Sequence, residues 1–114
     1  MGLLGKFTKK SRLEEELLYR HAFRELNAGI IREGLYAKAL VNSSGDEEQT
    51  NSLYIEYRVQ SIKDELNGMS YSEYMETLKR NVYKMKKSEL IAYAVAKGIQ
   101  VKDTDTKAKI LKKV

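Results

Sequence analysis

The residues with chemistry to offer are few and unevenly placed. Residues 81–114 carry nine lysines (Lys84, Lys86, Lys87, Lys97, Lys102, Lys107, Lys109, Lys112 and Lys113) against Glu89, Asp103 and Asp105. Ammonium groups at that density suit phosphate, because contacts to a nucleic-acid backbone release condensed counterions and need no base-reading geometry. The stretch has no Arg to fork onto a guanine edge, so binding there is expected to be salt-sensitive and poor in sequence preference. Other chemistries find little support. His21 is the single histidine, which leaves no partner for a His-based metal site or catalytic pair within one chain. The carboxylate runs Glu14-Glu15-Glu16 and Asp46-Glu47-Glu48 fall where helices are expected to begin, and the helix dipole accounts for acids there. Asp103 and Asp105 start like a calcium loop, but Ala108 and Val114 stand where the turn glycine and closing glutamate belong. With no Cys, disulfides, thiolate metal sites and cysteine nucleophiles are excluded, and a reducing cytoplasm is the natural home. The expectation is a binding protein rather than an enzyme, with no cofactor and no metal.

These lysines need a scaffold, and the composition bounds it. In 114 residues, 42% are apolar and 32% charged, enough for a modest core under a solvated surface. The net charge of +5 hides an asymmetry. Residues 1–12 hold four cations and no acid, residues 13–80 hold thirteen acids against eight bases, and residues 81–114 hold nine bases against three acids. An acidic body between basic ends fits a molecule that meets a polyanion with one end. No apolar run approaches a membrane span.

Helical spacing dominates, and no stretch alternates with a period of two long enough to make a strand. Without Pro, only Gly and Asn punctuate the chain. A first helix is predicted from Arg12 to Ala28, capped by Ser11 and stopped by Gly29, with Leu13, Leu17, Leu18, Ala22 and Leu26 inward. A second runs from Ile31 to Val41, burying Ile31, Leu35 and Ala39, and ends in Asn42-Ser43-Ser44-Gly45. A third spans Glu47 to Leu66, capped by Asp46 or a serine before it, with Ile55, Val59, Ile62 and Leu66 on one face. Asn67-Gly68 closes it. Ser70 and Glu73 form a capping-box pattern for a fourth helix with Tyr74, Met75, Leu78 and Val82 as its stripe.

The last thirty residues read as two short helices around an extended link. Leu90, Ile91, Ala94 and Val95 make the first, Gly98 stops it, and Ile99 packs back on its end. Thr104, Asp105 or Thr106 caps the second, whose buried side is Ala108, Leu111 and Val114. The elements Leu90, Lys97-Gly98-Ile99, Thr106-Lys107 and Ile110-Leu111 resemble the HeH family, a helix–extended-loop–helix module related to SAP and LEM domains. The spacing from Ile99 to Lys107 resembles the longer HeH link, and Asp105 stands where SAP domains usually place a Gly. The resemblance implies a ligand without fixing it: SAP relatives bind DNA, a similar fold in the transcription terminator Rho accompanies RNA binding, and LEM relatives mostly bind proteins. Residues 19–66 also resemble a helical stretch that recurs in bacterial proteins of unassigned function, carried by Ile30-Ile31-Arg32-Glu33-Gly34-Leu35, Ala37-Lys38-Ala39, Gly45-Asp46-Glu47 and Leu53-Tyr54-Ile55-Glu56-Tyr57-Arg58.

The expected organisation is therefore all-α: a flexible basic tail over 1–11, an acidic helical bundle over 12–84, and a basic helix–extended-loop–helix hairpin over 85–114. The leading expectation is phosphate-backbone binding to DNA or RNA by Lys86, Lys87, Lys102, Thr106, Lys107 and Lys109. Thr106–Lys107 adds the backbone donors of a helix start. The alternative is a protein partner met by the tyrosine-rich helices, where Tyr54, Tyr57, Tyr71, Tyr74, Tyr83 and Tyr93 are half-buried rings suited to a contact or to stacking on single-stranded bases.

Overall fold

The structure, a computed structural model, describes residues 9–114, with side chains from Arg12 onward. Among the described residues the fold is all-α, with six α-helices, one 3-10 turn and no strand. In chain order these are α1 (Lys9–Asn27), α2 (Glu33–Asn42), α3 (Glu47–Leu66), α4 (Tyr71–Arg80), the 3-10 turn Val82–Lys84, α5 (Lys87–Ala96) and α6 (Lys107–Lys113). No helix among them is long and apolar enough to cross a membrane.

Most boundaries follow the local chemistry. Gly29 ends α1 at φ +76°, and its N–H donates to the Leu26 carbonyl while that of Ile30 donates to Glu25 at 2.8 Å. That pair of bonds is the Schellman closure, which needs the left-handed conformation glycine adopts freely. Asp46 caps α3 by accepting the Gln49 N–H at 2.9 Å, and Ser70 caps α4 by accepting the Glu73 N–H at 3.1 Å. Two starts differ from expectation. α1 begins at Lys9, so Ser11 lies inside the helix and the expected tail is already helical from residue 9; the tail expectation for residues 1–8 lies outside the described residues. α2 begins at Glu33 rather than Ile31, leaving Ile31 exposed ahead of it.

Two apolar clusters hold the helices. Leu18 and Ala22 of α1, Val59, Ile62 and Leu66 of α3, and Tyr71 of α4 form the first. Val82, Met85, Leu90, Tyr93, Ala94 and Ile110 form the second, and Met75 packs against both. Each fully buried Leu or Ile contributes roughly 1.5–3 kcal/mol, so a few such side chains decide whether α5 and α6 stay docked. In α6 the buried face is Ile110 with Leu111 and Val114 beside it, and Ala108 is exposed. Residues 110, 111 and 114 share one side of a helix, and 108 lies about 200° from 110. The expected inward Ala108 is thus replaced by Ile110, the larger apolar residue.

Candidate nucleic-acid interface

The basic segment is built by the path of its link. α5 ends at Gly98 (φ +82°), where the Gly98 N–H donates to Val95 and the Ile99 N–H to Ala94, both at 2.9 Å. The chain then runs back along α5, because Lys87 Nζ at the start of that helix donates to the Asp103 carbonyl at 2.9 Å. α6 begins against the 3-10 turn, with Lys107 Nζ donating to the Tyr83 carbonyl at 3.2 Å. It ends near the beginning of the link, with Lys113 Nζ 3.3 Å from the Gln100 carbonyl. These contacts put the starts of α5 and α6 at one end of the unit.

Asp105 sits inside this turn rather than on the surface. It is 3% exposed, its Oδ2 accepts the Lys102 N–H at 2.9 Å and Lys113 Nζ at 3.0 Å, and Lys109 Nζ lies 3.9 Å from Oδ1. The Lys102 N–H above all, then Lys113, hold its carboxyl below the usual range despite burial. One of the segment's three acids is therefore turned inward and neutralised. With Asp105 and Lys113 paired off, eight lysines remain against Glu89 and Asp103, and the segment keeps its net charge of +6.

The six candidate residues fall into different roles. Lys87 and Lys107 each use one ammonium donor to brace the backbone, and a lysine keeps two more. Thr106 Oγ1 accepts the Lys109 N–H at 3.2 Å, so one first-turn donor of the seven-residue α6 is already taken. The side chains of Lys86 and Lys102 are exposed and make no bond to a described residue; only their backbones are engaged, the N–H groups donating to Glu89 and Asp105 and the carbonyls accepting from the N–H groups of Leu90 and Asp105. Lys109 has a side chain 68% exposed. Tyr83 and Asp103 bring Lys86, Lys87 and Lys107 to one end, and Asp105 gathers Lys102 and Lys109 beside them.

The bundle holds a second constellation that sequence reading did not assemble. His21, Glu25 and Arg58 are each 4% exposed. Glu25 accepts Arg58 Nε at 2.7 Å and Nη2 at 3.2 Å, and lies 3.2 Å from His21 Nε2. His21 Nδ1 stands 2.9 Å from the Tyr71 hydroxyl. With a proton on Nε2 the ring donates to Glu25, and Nδ1 then accepts the Tyr71 hydroxyl. Glu65 continues the chain, pairing with Arg58 at 3.4 Å and Arg32 at 2.6 Å and accepting the Tyr74 hydroxyl at 3.1 Å. Burial alone would raise the Glu25 pKa, but the bonds from His21 and Arg58 outweigh it and bring the carboxyl to about 2. Burial pushes the hydroxyls of Tyr71 and Tyr74 up to about 12. Among the described residues no buried side-chain polar atom lacks a partner, so this network ties α1, α3 and α4 together. Its visible signal was the His21–Glu25 spacing of four on the apolar face of α1. Arg58 gave none.

No family model, curated protein or solved structure matches this chain.

Proposed function

We propose that this protein is a non-enzymatic binding module whose α5–link–α6 unit holds nucleic acid by its phosphates. One observation carries the reading: Asp105, one of the segment's three acids, is folded in and paired with Lys113, which leaves eight lysines against two surface acids. The HeH resemblance of residues 85–114 supports it. The test is binding of the full chain to labelled duplex DNA, single-stranded DNA and RNA between about 50 and 200 mM salt. Substituting Lys86 and Lys102 together by Ala removes two charges that brace nothing within the fold. The expected result is weaker binding to every ligand and a salt slope shallower by about two contacts. Absence of salt-dependent binding at the lower salt would sink the reading.

A protein contact is the second reading, and it moves away from the tyrosines. Tyr54, Tyr71 and Tyr93 are buried, while Tyr57 and Tyr74 bond Asn42 and Glu65. The exposed large apolar residues of the bundle are instead Leu13, Tyr19 and Phe23 on α1, Ile31 ahead of α2, and Leu40 and Val41 on α2.

A further inference from the structure

We infer that Tyr83 is a base-stacking platform and that the basic surface around it prefers single-stranded nucleic acid. This rests on the phosphate-binding reading and sharpens it to a ligand class. Of the eight tyrosines, Tyr83 is by far the most exposed, at 77% against 39% for Tyr19. Its ring and hydroxyl make no bond to a described residue, whereas the other tyrosines of the second half are buried or hydrogen-bonded.

An exposed ring is ordinary by itself; its mounting and its neighbours are what count here. Val82 and Met85 on either side are anchored in the second apolar cluster, and the turn is closed by the Lys84 and Met85 N–H groups on Asn81 and Val82. Lys107 Nζ holds the Tyr83 carbonyl at 3.2 Å. The backbone is thus fixed, and the side chain has only two torsions to order on contact, so little entropy opposes its use. Lys84, Lys86 and Lys87 follow it in the chain, and Lys107 reaches it from α6, so phosphates flanking a stacked base would find ammonium groups nearby. A paired base in a duplex has both faces covered by its neighbours and would have to be unstacked to reach the ring. An unpaired base offers a free face at no such cost. Stacking on an aromatic side chain tolerates any base, in keeping with a segment, residues 81–114, that has no Arg.

The test uses the full chain with a short labelled oligothymidylate and a mixed-sequence duplex of equal length, at low salt. The expected result is tighter binding of the single strand, a loss of about tenfold in Tyr83→Ala on that ligand, and a change of less than about twofold on the duplex. Tyr83→Phe keeps the ring and should bind the single strand like the parent. If Tyr83→Ala leaves single-strand affinity unchanged, or the parent prefers the duplex, the stacking inference fails while salt-dependent duplex binding still upholds the phosphate reading. If neither ligand binds, both fall.

Discussion

Replacing Arg58 by Met isolates the energetics of the buried charge network. Arg58 gives two hydrogen bonds to Glu25, one to the Ser61 hydroxyl and a longer one to Glu65, with only 4% of its surface exposed. Met keeps much of the volume and none of the charge. Glu25 would stay buried with His21 as its remaining partner, whereas Glu65 would keep Arg32 and Tyr74. Breaking one side of such a pair costs about 3–5 kcal/mol, largely the desolvation of the charge left behind. A chain of this length is stable by roughly 6–17 kcal/mol, so a sizeable share of the total would be lost. At a urea m-value of about 1–3 kcal/mol/M, the unfolding midpoint followed by far-UV circular dichroism should fall by at least about 1 M. Glu25→Leu added to Arg58→Met removes the stranded carboxylate and should restore at least about 2 kcal/mol. A single variant within about 1 kcal/mol of the parent, or a double variant no more stable than the single, would refute the argument.

The same network sets an acid limb. The Glu25 carboxyl titrates at about 2 in the folded protein against an ordinary 4.5, so its stabilisation is complete above about pH 4.5 and is lost as pH falls toward 2. The loss is at most about 3 kcal/mol; urea midpoints at pH 6, 4 and 3 should fall less steeply in Glu25→Gln, and parallel slopes would remove Glu25 as the cause. Gly98→Ala should destabilise by about 1–2 kcal/mol, because φ is +82° and a Cβ would stand 3.1 Å from the Arg24 guanidinium. Gly34→Ala, with open space around it in α2, should instead stabilise by about 0.5 kcal/mol; thermal melts of both check the pair, and equal shifts would contradict it. Ile110→Ala removes a fully buried side chain and should cost about 2–5 kcal/mol by urea unfolding, while Ala108→Ser, on the exposed face, should stay within about 0.5 kcal/mol.

What could be read in the sequence was what local chemistry decides. α3 is legible end to end because Asp46 caps it, Asn67-Gly68 closes it, and Val59, Ile62 and Leu66 keep one face apolar. Gly29 and Gly98 likewise announce their own left-handed turns. The Glu25–Arg58 pair was not legible, since 33 residues separate the partners and charged residues are otherwise expected outside. Only packing α1 on α3 makes burial of both affordable. The inward turn of Asp105 was hidden for a related reason: its partners Lys102 and Lys113 meet only once the link runs back along α5. Tyr83 looked like one of six equivalent tyrosines until the fold buried or bonded the rest.

The basic unit is also fastened to the acidic bundle, which bears on how its binding would work. Arg24 of α1 donates to the Ala96 carbonyl at 2.8 Å, meeting the carbonyl end of α5 with a cation where the helix dipole favours one. α1 and α5 pack together, and Met75 joins both apolar clusters. Cutting the chain before α5 would strip the bundle of these contacts, so lost binding in a truncated protein would not distinguish a missing interface from a damaged fold. Substitutions at Lys86, Lys102 and Tyr83 avoid this, because none of those side chains braces the structure. Fastening also fixes the charge pattern in space. Residues 13–80 carry five more acids than bases, and residues 81–114 six more bases than acids. A polyanion approaching such a molecule is attracted to the lysine-rich unit and repelled by the acidic bundle it is fastened to.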